Sequence, residues 1–146
     1  MDAAELAPGR RPPHTLSPAL VQHVDGRLRA VLGTMGGDIQ PQVVLQLIAQ
    51  LLLHDRSPGR AVAAPRWRLG AGGFDTWDDG GPGDVRVEDG APAAWVDGLA
   101  ERGHEVVVEP AWTSDYGHAH VIERRADGVL AGAHDPRAVT GGTATW

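Results

Sequence analysis

The order of elements predicts an α+β fold, and three observations carry that expectation. Asp25-Gly26 stands between two alternating apolar runs, a strong hairpin signal. A helix with a broad apolar arc follows directly at 43–52. Beyond it, a short strand, an amphipathic helix and three more strands succeed one another, so hairpins and helices form layers.

The hairpin runs are 19–24 and 27–33, with both turn residues able to take positive φ. The second run leads into Gly33-Thr34-Met35-Gly36-Gly37-Asp38. Asp38 is the expected N-cap, and Pro41 fits the first turn of a helix to about residue 54. On that helix Val43, Val44, Leu47, Ile48, Leu51 and Leu52 share one arc, and Gln42, Gln46 and Gln50 lie opposite. An arc so wide predicts burial against a sheet. Ser57-Pro58 reads as N-cap and first residue of a short helix ending before Pro65. Residues 69–83 form a Gly-rich loop, and 85–88 a short strand. The helix at 92–102 has Ala94, Trp95 and Leu99 in its stripe and stops at Gly103. Strands are expected at 105–108, 118–124 and 129–133, the last two joined by a turn at Ala126-Asp127-Gly128.

The 146 residues fit one domain, and a chain of this length buries roughly 70% of its unfolded surface. Net charge is −6 and unevenly placed: 8 Arg face 5 acids up to Gly70, and 5 Arg face 14 acids after it. There is no Lys. An acidic chain without a basic stripe argues against nucleic acid and anionic membranes as partners. No run of about 18 apolar residues is present, so no transmembrane helix is expected. The first 13 residues have no apolar core of a secretory signal, and localisation stays undetermined. Cysteine is absent, which removes disulfides and thiol chemistry. Residues 1–18 are Pro-rich and extended, since Pro8, Pro12, Pro13 and Pro18 forbid a regular helix.

Three segments together are specific: PGRRPPHTLSPALV at 8–21; VLGTMGGDIQPQVVLQLIAQLL at 31–52 with AVAAPRW at 61–67; and GHEVVV at 103–108 with GAHDPR at 132–137. In this order and spacing they resemble the gamma-glutamyltransferase family of N-terminal nucleophile hydrolases, nearest its acylase-like branch. The resemblance runs from about residue 7 to 142. It implies that 1–146 is a single partial domain, the C-terminal part of a small subunit. The fold it implies is part of a four-layer αββα sandwich, incomplete here, with 1–18 as a substrate-site segment.

The chemistry implied is acyl transfer. A precursor cleaves itself, and the new N-terminal threonine of the small subunit attacks the γ-carbonyl of a glutamyl amide, with its own α-amine as base. The acyl group passes to water or an acceptor amine. Gly36 and Gly37 match the family's paired glycines, whose N–H groups form the oxyanion hole. Glycine admits a ligand close to the backbone, and a helix N-terminus follows. His14 and Thr15 match the paired serines that hold the carboxylate end of the substrate. The change to His-Thr puts glutathione-type specificity in doubt and suggests the acylase-like branch or a different acyl group. The nucleophile is expected upstream of this chain, and the implied partners are the rest of the small subunit and a large subunit. Thr15 and Thr34 sit at positions with other roles, so neither reads as the nucleophile. No cofactor is expected.

Two rival readings stay open. One is a non-catalytic interaction domain derived from the enzyme. The other is a metal-dependent hydrolase, because His118 and His120 alternate on a strand near His134 and Asp135, although no third ligand has firm spacing. Asp135-Pro136-Arg137 reads as a turn closed by an Arg–carboxylate contact. The hairpin edge and the apolar arc at 43–52 are expected to lack part of their cover in this chain alone.

Overall fold

The computed structural model describes residues 7–11, 14–70 and 83–144. Strands β1 (Ala19–Gln22) and β2 (Leu28–Thr34) form the expected hairpin, antiparallel with Ala19 opposite Leu32. The turn differs from the expectation, for only Gly26 has positive φ, at 83°. The His23 N–H bonds to the Arg27 carbonyl, and the Gly26 N–H to the His23 carbonyl. This is a three-residue loop ending in a left-handed glycine, with the register shifting beside Gln22. Asp25 accepts the Arg27 N–H at 3.0 Å instead of taking positive φ itself.

A single 3-10 turn, Gly37–Ile39, leads into α1 (Gln40–Leu52). Asp38 lies inside that turn, and its side chain caps nothing; Ile39 occupies the N-cap position. The glycine turn consumes the residues a standard cap would use. Helix α2 (Pro58–Val62) follows, with Ser57 preceding it in extended conformation.

Val43, Leu47 and Leu51 of α1 are buried with Ala30, Leu32, Ala119 and Val121, and α2 adds Ala61 and Val62. Val43, Leu47 and Leu51 are thus covered by this chain's own sheet, whereas Val44, Ile48 and Leu52 of the arc are only half-buried. That sheet has the order β1-β2-β6-β7, where β6 is Ala119–Arg124 and β7 is Leu130–His134. All its pairings are antiparallel. The β6–β7 turn repeats the first: Gly128 has φ 87°, and Asp127 accepts the Val129 N–H at 3.0 Å.

A second sheet has the order β3-β4-β5. Its strands are β3 (Trp67–Leu69), β4 (Val85–Glu88) and β5 (Val106–Glu109). The sequence reading has no strand at Trp67–Leu69, since three residues show no resolvable alternation. β4 and β5 run parallel, because α3 (Ala93–Glu101) carries the chain back between them. In α3 no residue is fully buried; Trp95, Val96 and Leu99 are half-buried, whereas Ala94 is exposed. Most of the expected Gly-rich loop at 69–83 falls outside the described residues. Its ends are closed by a bond from the Gly70 N–H to the Asp84 carbonyl. Residues 1–6 and Pro12-Pro13 of the Pro-rich segment also fall outside.

Candidate functional site

The site is built where β2 ends against α1. Gly36 has φ 138° and ψ 17°, and Gly37 has φ 57°, so both occupy backbone regions that favour glycine. A Cβ on Gly36 would stand 2.5 Å from Ile39 Cγ1. The Gly36 carbonyl accepts from Ile39 and the Gly37 carbonyl from Gln40. Neither the Gly36 nor the Gly37 N–H donates to any described residue. The turn thus holds its carbonyls fixed and leaves two donors beside a helix N-terminus, where partial positive charge favours an anion.

His14 and Thr15 are exposed on the segment before β1. The structure links this segment to the glycine turn through one side chain. Gln40 Nε2 donates to the Thr15 carbonyl at 2.9 Å, and Gln40 Oε1 accepts the Ser17 N–H at 3.2 Å. Sequence reasoning passed over Gln40, whose only signal was a polar residue at a helix start.

Gly117 was missed too. It has φ 78°, and a Cβ there would lie 2.5 Å from Thr34 Oγ1 and 2.7 Å from the Met35 carbonyl. Its Cα also lies 3.7 Å from where a Gly36 Cβ would stand, so Gly117 packs directly against Thr34, Met35 and the glycine turn. Gly117 is in turn held by Arg66, whose Nη1 donates to the carbonyls of Tyr116 at 2.7 Å and Gly117 at 3.3 Å.

Arg66 belongs to a buried quartet with Asp135, Arg137 and Glu88. Arg66 Nη2 lies 2.5 Å from Asp135 Oδ2, and Arg137 Nη1 lies 3.0 Å from Asp135 Oδ1. Arg137 also grips Glu88 through both Nε, at 2.8 Å, and Nη2. The two charges of each sign cancel, and backbone carbonyls of Val62 and Ala64 take further guanidinium protons. Burial pushes the Asp135 carboxyl up. The Arg66 charge, the N–H groups of Ala119 and Arg137, and the Arg137 charge outweigh it, so its pKa falls below the usual range. Burial and the like charge of Arg137 pull Arg66 down from its ordinary value, against its two carboxylates. The Asp135-Pro136-Arg137 turn with its Arg–carboxylate contact is present as expected: the Ala138 N–H closes it onto the Asp135 carbonyl at 3.0 Å.

A second cluster lies nearby. Glu109 accepts from Arg68 at 3.1 Å, from Tyr116 Oη at 2.9 Å and from Arg86. Burial, donation to Glu109 and the charge of Glu109 push the Tyr116 phenol up. Tyr116 therefore serves as a neutral hydrogen-bond donor.

The histidines do not assemble as the metal reading requires. β6 begins at Ala119, so His118 lies before the strand, with Nε2 3.1 Å from Ser114 Oγ. His120 is paired across the strands with His134 instead. Among the described residues no group of three or more His, Asp or Glu gathers to hold a metal. No helix among them is long and apolar enough to cross a membrane.

The chain and its fold have relatives among known proteins. The family model described as Gamma-glutamyltranspeptidase matches residues 1–145. An oxamate amidohydrolase proenzyme of Klebsiella pneumoniae is 39% identical over 132 residues, which is 90% of this chain and 24% of that protein. A glutathione hydrolase-like proenzyme of Bacillus subtilis is 34% identical over 132 residues, again 90% of this chain and 24% of the relative. Among solved structures, cephalosporin acylase from Bacillus halodurans superposes with TM-score 0.71 at 32% identity, covering 90% of this chain and 23% of that one. The mixed helix and sheet fold matches these enzymes, and the chain spans about a quarter of the length of the curated relatives. On the family match across nearly its whole length, the chain belongs to the gamma-glutamyltranspeptidase family.

Proposed function

We propose that this chain supplies the oxyanion hole of an N-terminal nucleophile hydrolase that cleaves or transfers gamma-glutamyl or related acyl groups from amides such as glutathione. One observation carries the reading. Gly36 and Gly37 offer two N–H groups without a described acceptor, held by glycine-only geometry at the start of α1. The nucleophilic threonine comes from outside these 146 residues, as does the large subunit. That threonine's hydroxyl attacks the amide carbonyl carbon, and its proton passes to the α-amine. The carbonyl oxygen becomes an oxyanion and accepts from the two glycines. When the intermediate collapses, the C–N bond breaks, the amine leaves with the proton, and an acyl-threonine ester remains. Water or an acceptor amine then attacks that ester.

His14 and Thr15 hold the far end of the acyl group. Thr15 keeps a hydroxyl donor where the family has serine, and His14 adds size and a titratable ring. Relatives named for glutathione, for oxamate and for cephalosporin set the range of acyl groups to compare, with gamma-glutamyl as the first probe.

The isolated chain is expected to leave a chromogenic gamma-glutamyl anilide unhydrolysed, and activity is expected once the nucleophile-bearing segment and large subunit are restored. Turnover that copurifies with the chain and survives Thr15→Ala and Thr34→Ala overturns the reading.

A further inference from the structure

We propose that Gln40 is a positioning residue that sets the register of residues 14–17 against the Gly36–Gly37 turn, and so fixes where the substrate's far end is held. This rests on the functional reading above. Gln40 is only 5% exposed, although every residue from 14 to 17 is exposed. Its primary amide acts like one peptide unit of a neighbouring strand. Nε2 donates to the Thr15 carbonyl, and Oε1 accepts the Ser17 N–H. The two bonds orient the peptide planes on both sides of Leu16, and hence the direction in which Thr15 projects. Its own N–H meanwhile bonds to the Gly37 carbonyl. One residue therefore ties the proposed oxyanion donors to the proposed acyl-binding pair. Pro18 gives a second fixed point, with its Cα 3.9 Å from where a Gly33 Cβ would be.

The chemistry limits what can replace it. Only a side chain carrying both donor and acceptor at this length makes both bonds. Leucine makes neither, and glutamate keeps the acceptor alone. The backbone groups of 15 and 17 sit at the surface, so water satisfies them when Gln40 is lost. The main effect is then loss of register, which loosens binding of the acyl end and leaves the oxyanion turn in place.

Two measurements test this. In the chain itself, Gln40→Leu should abolish amide-exchange protection at Ser17, and Gln40→Glu should retain it. In the complete enzyme, with a gamma-glutamyl anilide as probe, both variants should raise KM about tenfold, a difference of about 1.4 kcal/mol, with kcat changed less than about threefold. Gln40→Glu keeps the helix and the Ser17 bond, so it remains informative if the leucine variant folds poorly. Unchanged Ser17 exchange in Gln40→Leu refutes the clamp by itself, whatever the activity. A fall in kcat at constant KM refutes the assignment to acyl-end positioning. An unsubstituted complete enzyme that cleaves neither gamma-glutamyl nor other acyl amides overturns the functional reading, and the positioning role with it.

Discussion

Gly36 and Gly37 must be glycine for different reasons. At Gly36 a side chain has no room, because a Cβ meets the buried Ile39 at 2.5 Å, and φ 138° is closed to other residues. Gly36→Ala should lower stability by about 1–3 kcal/mol, the usual cost of forced backbone, read as a lower melting temperature. Gly37 at φ 57° lies in the left-handed region, which alanine reaches for roughly 1–2 kcal/mol. There the consequence should be catalytic. Alanine keeps the N–H, but relaxation of its backbone out of the left-handed region turns that donor away from the oxyanion, so in the complete enzyme Gly37→Ala should lower kcat, by about 10²–10³ where the donor is lost altogether, with little change in KM; an unchanged kcat removes Gly37 from the oxyanion hole. The glycine pair and the His14-Thr15 pair stand inside a recognisable motif, which is what singles them out in the sequence. Gly117 and Gln40 were not, because each acts on residues distant in sequence: Gly117 on Thr34 and Met35, Gln40 on Thr15 and Ser17.

At the scale of elements, the sequence sets the glutamines of α1 opposite its apolar arc. The structure gives two of them a partner. Gln46 donates to the Trp67 carbonyl at 2.9 Å and accepts the Trp67 N–H at 3.0 Å. Gln42 accepts the Leu69 N–H at 2.9 Å. β3 pairs with β4 along one edge, and these amides occupy the other, so the helix completes a three-residue strand too short to stand alone. Gln46→Ala should cost about 1–3 kcal/mol by leaving two half-buried backbone groups unmatched. A reduced denaturant midpoint with unchanged slope is the expected sign, and an unchanged midpoint shows that water replaces the amide.

For the whole molecule, the quartet of Arg66, Asp135, Arg137 and Glu88 joins the two sheets, since Glu88 lies on β4 and Asp135 follows β7. Asp135 accepts the Ala119 N–H at 2.8 Å as well. Asp135→Asn leaves buried guanidinium charge less compensated and should cost about 3–5 kcal/mol at neutral pH. The pH dependence follows from the depressed Asp135 pKa. Its stabilisation is fully present above the ordinary aspartate value of about 3.9 and is lost as pH falls through the lower folded value. Urea midpoints should therefore drop below about pH 4 in the parent and drop less in Asp135→Asn. Equal acid sensitivity of the two proteins contradicts this role.

Among the described residues, the outer face of the four-stranded sheet carries exposed apolar side chains. Leu20 is 69%, Ile122 50% and Leu130 63% exposed there, and Leu20, Val31 and Ile122 form one row across three strands. Strand β1 is an open edge, whereas β2 is paired on both sides. Leaving several hundred Å² of apolar surface wet forfeits several kcal/mol at about 25 cal/mol per Å². Charge repulsion opposes association only within a Debye length of about 8 Å. The isolated chain should associate, and Ile122→Lys should reduce this in light scattering. A monomer with a sharp melt and no dye-accessible apolar surface contradicts the expectation.

The sequence by itself determined both hairpins, the glycine turn, α1 with its buried arc, and membership of the family. Each of these is local periodicity, turn chemistry or a contiguous motif. Only the tertiary structure decided which face of the chain remains open, where the glutamines point, and which residues hold the glycine turn from behind. The sequence expected incomplete cover at the hairpin edge and over the arc of α1, and the structure adds an exposed apolar row on the outer face of the sheet. Those features depend on contacts between residues 21 to 83 positions apart. Such pairings arise from packing, and no local pattern encodes them.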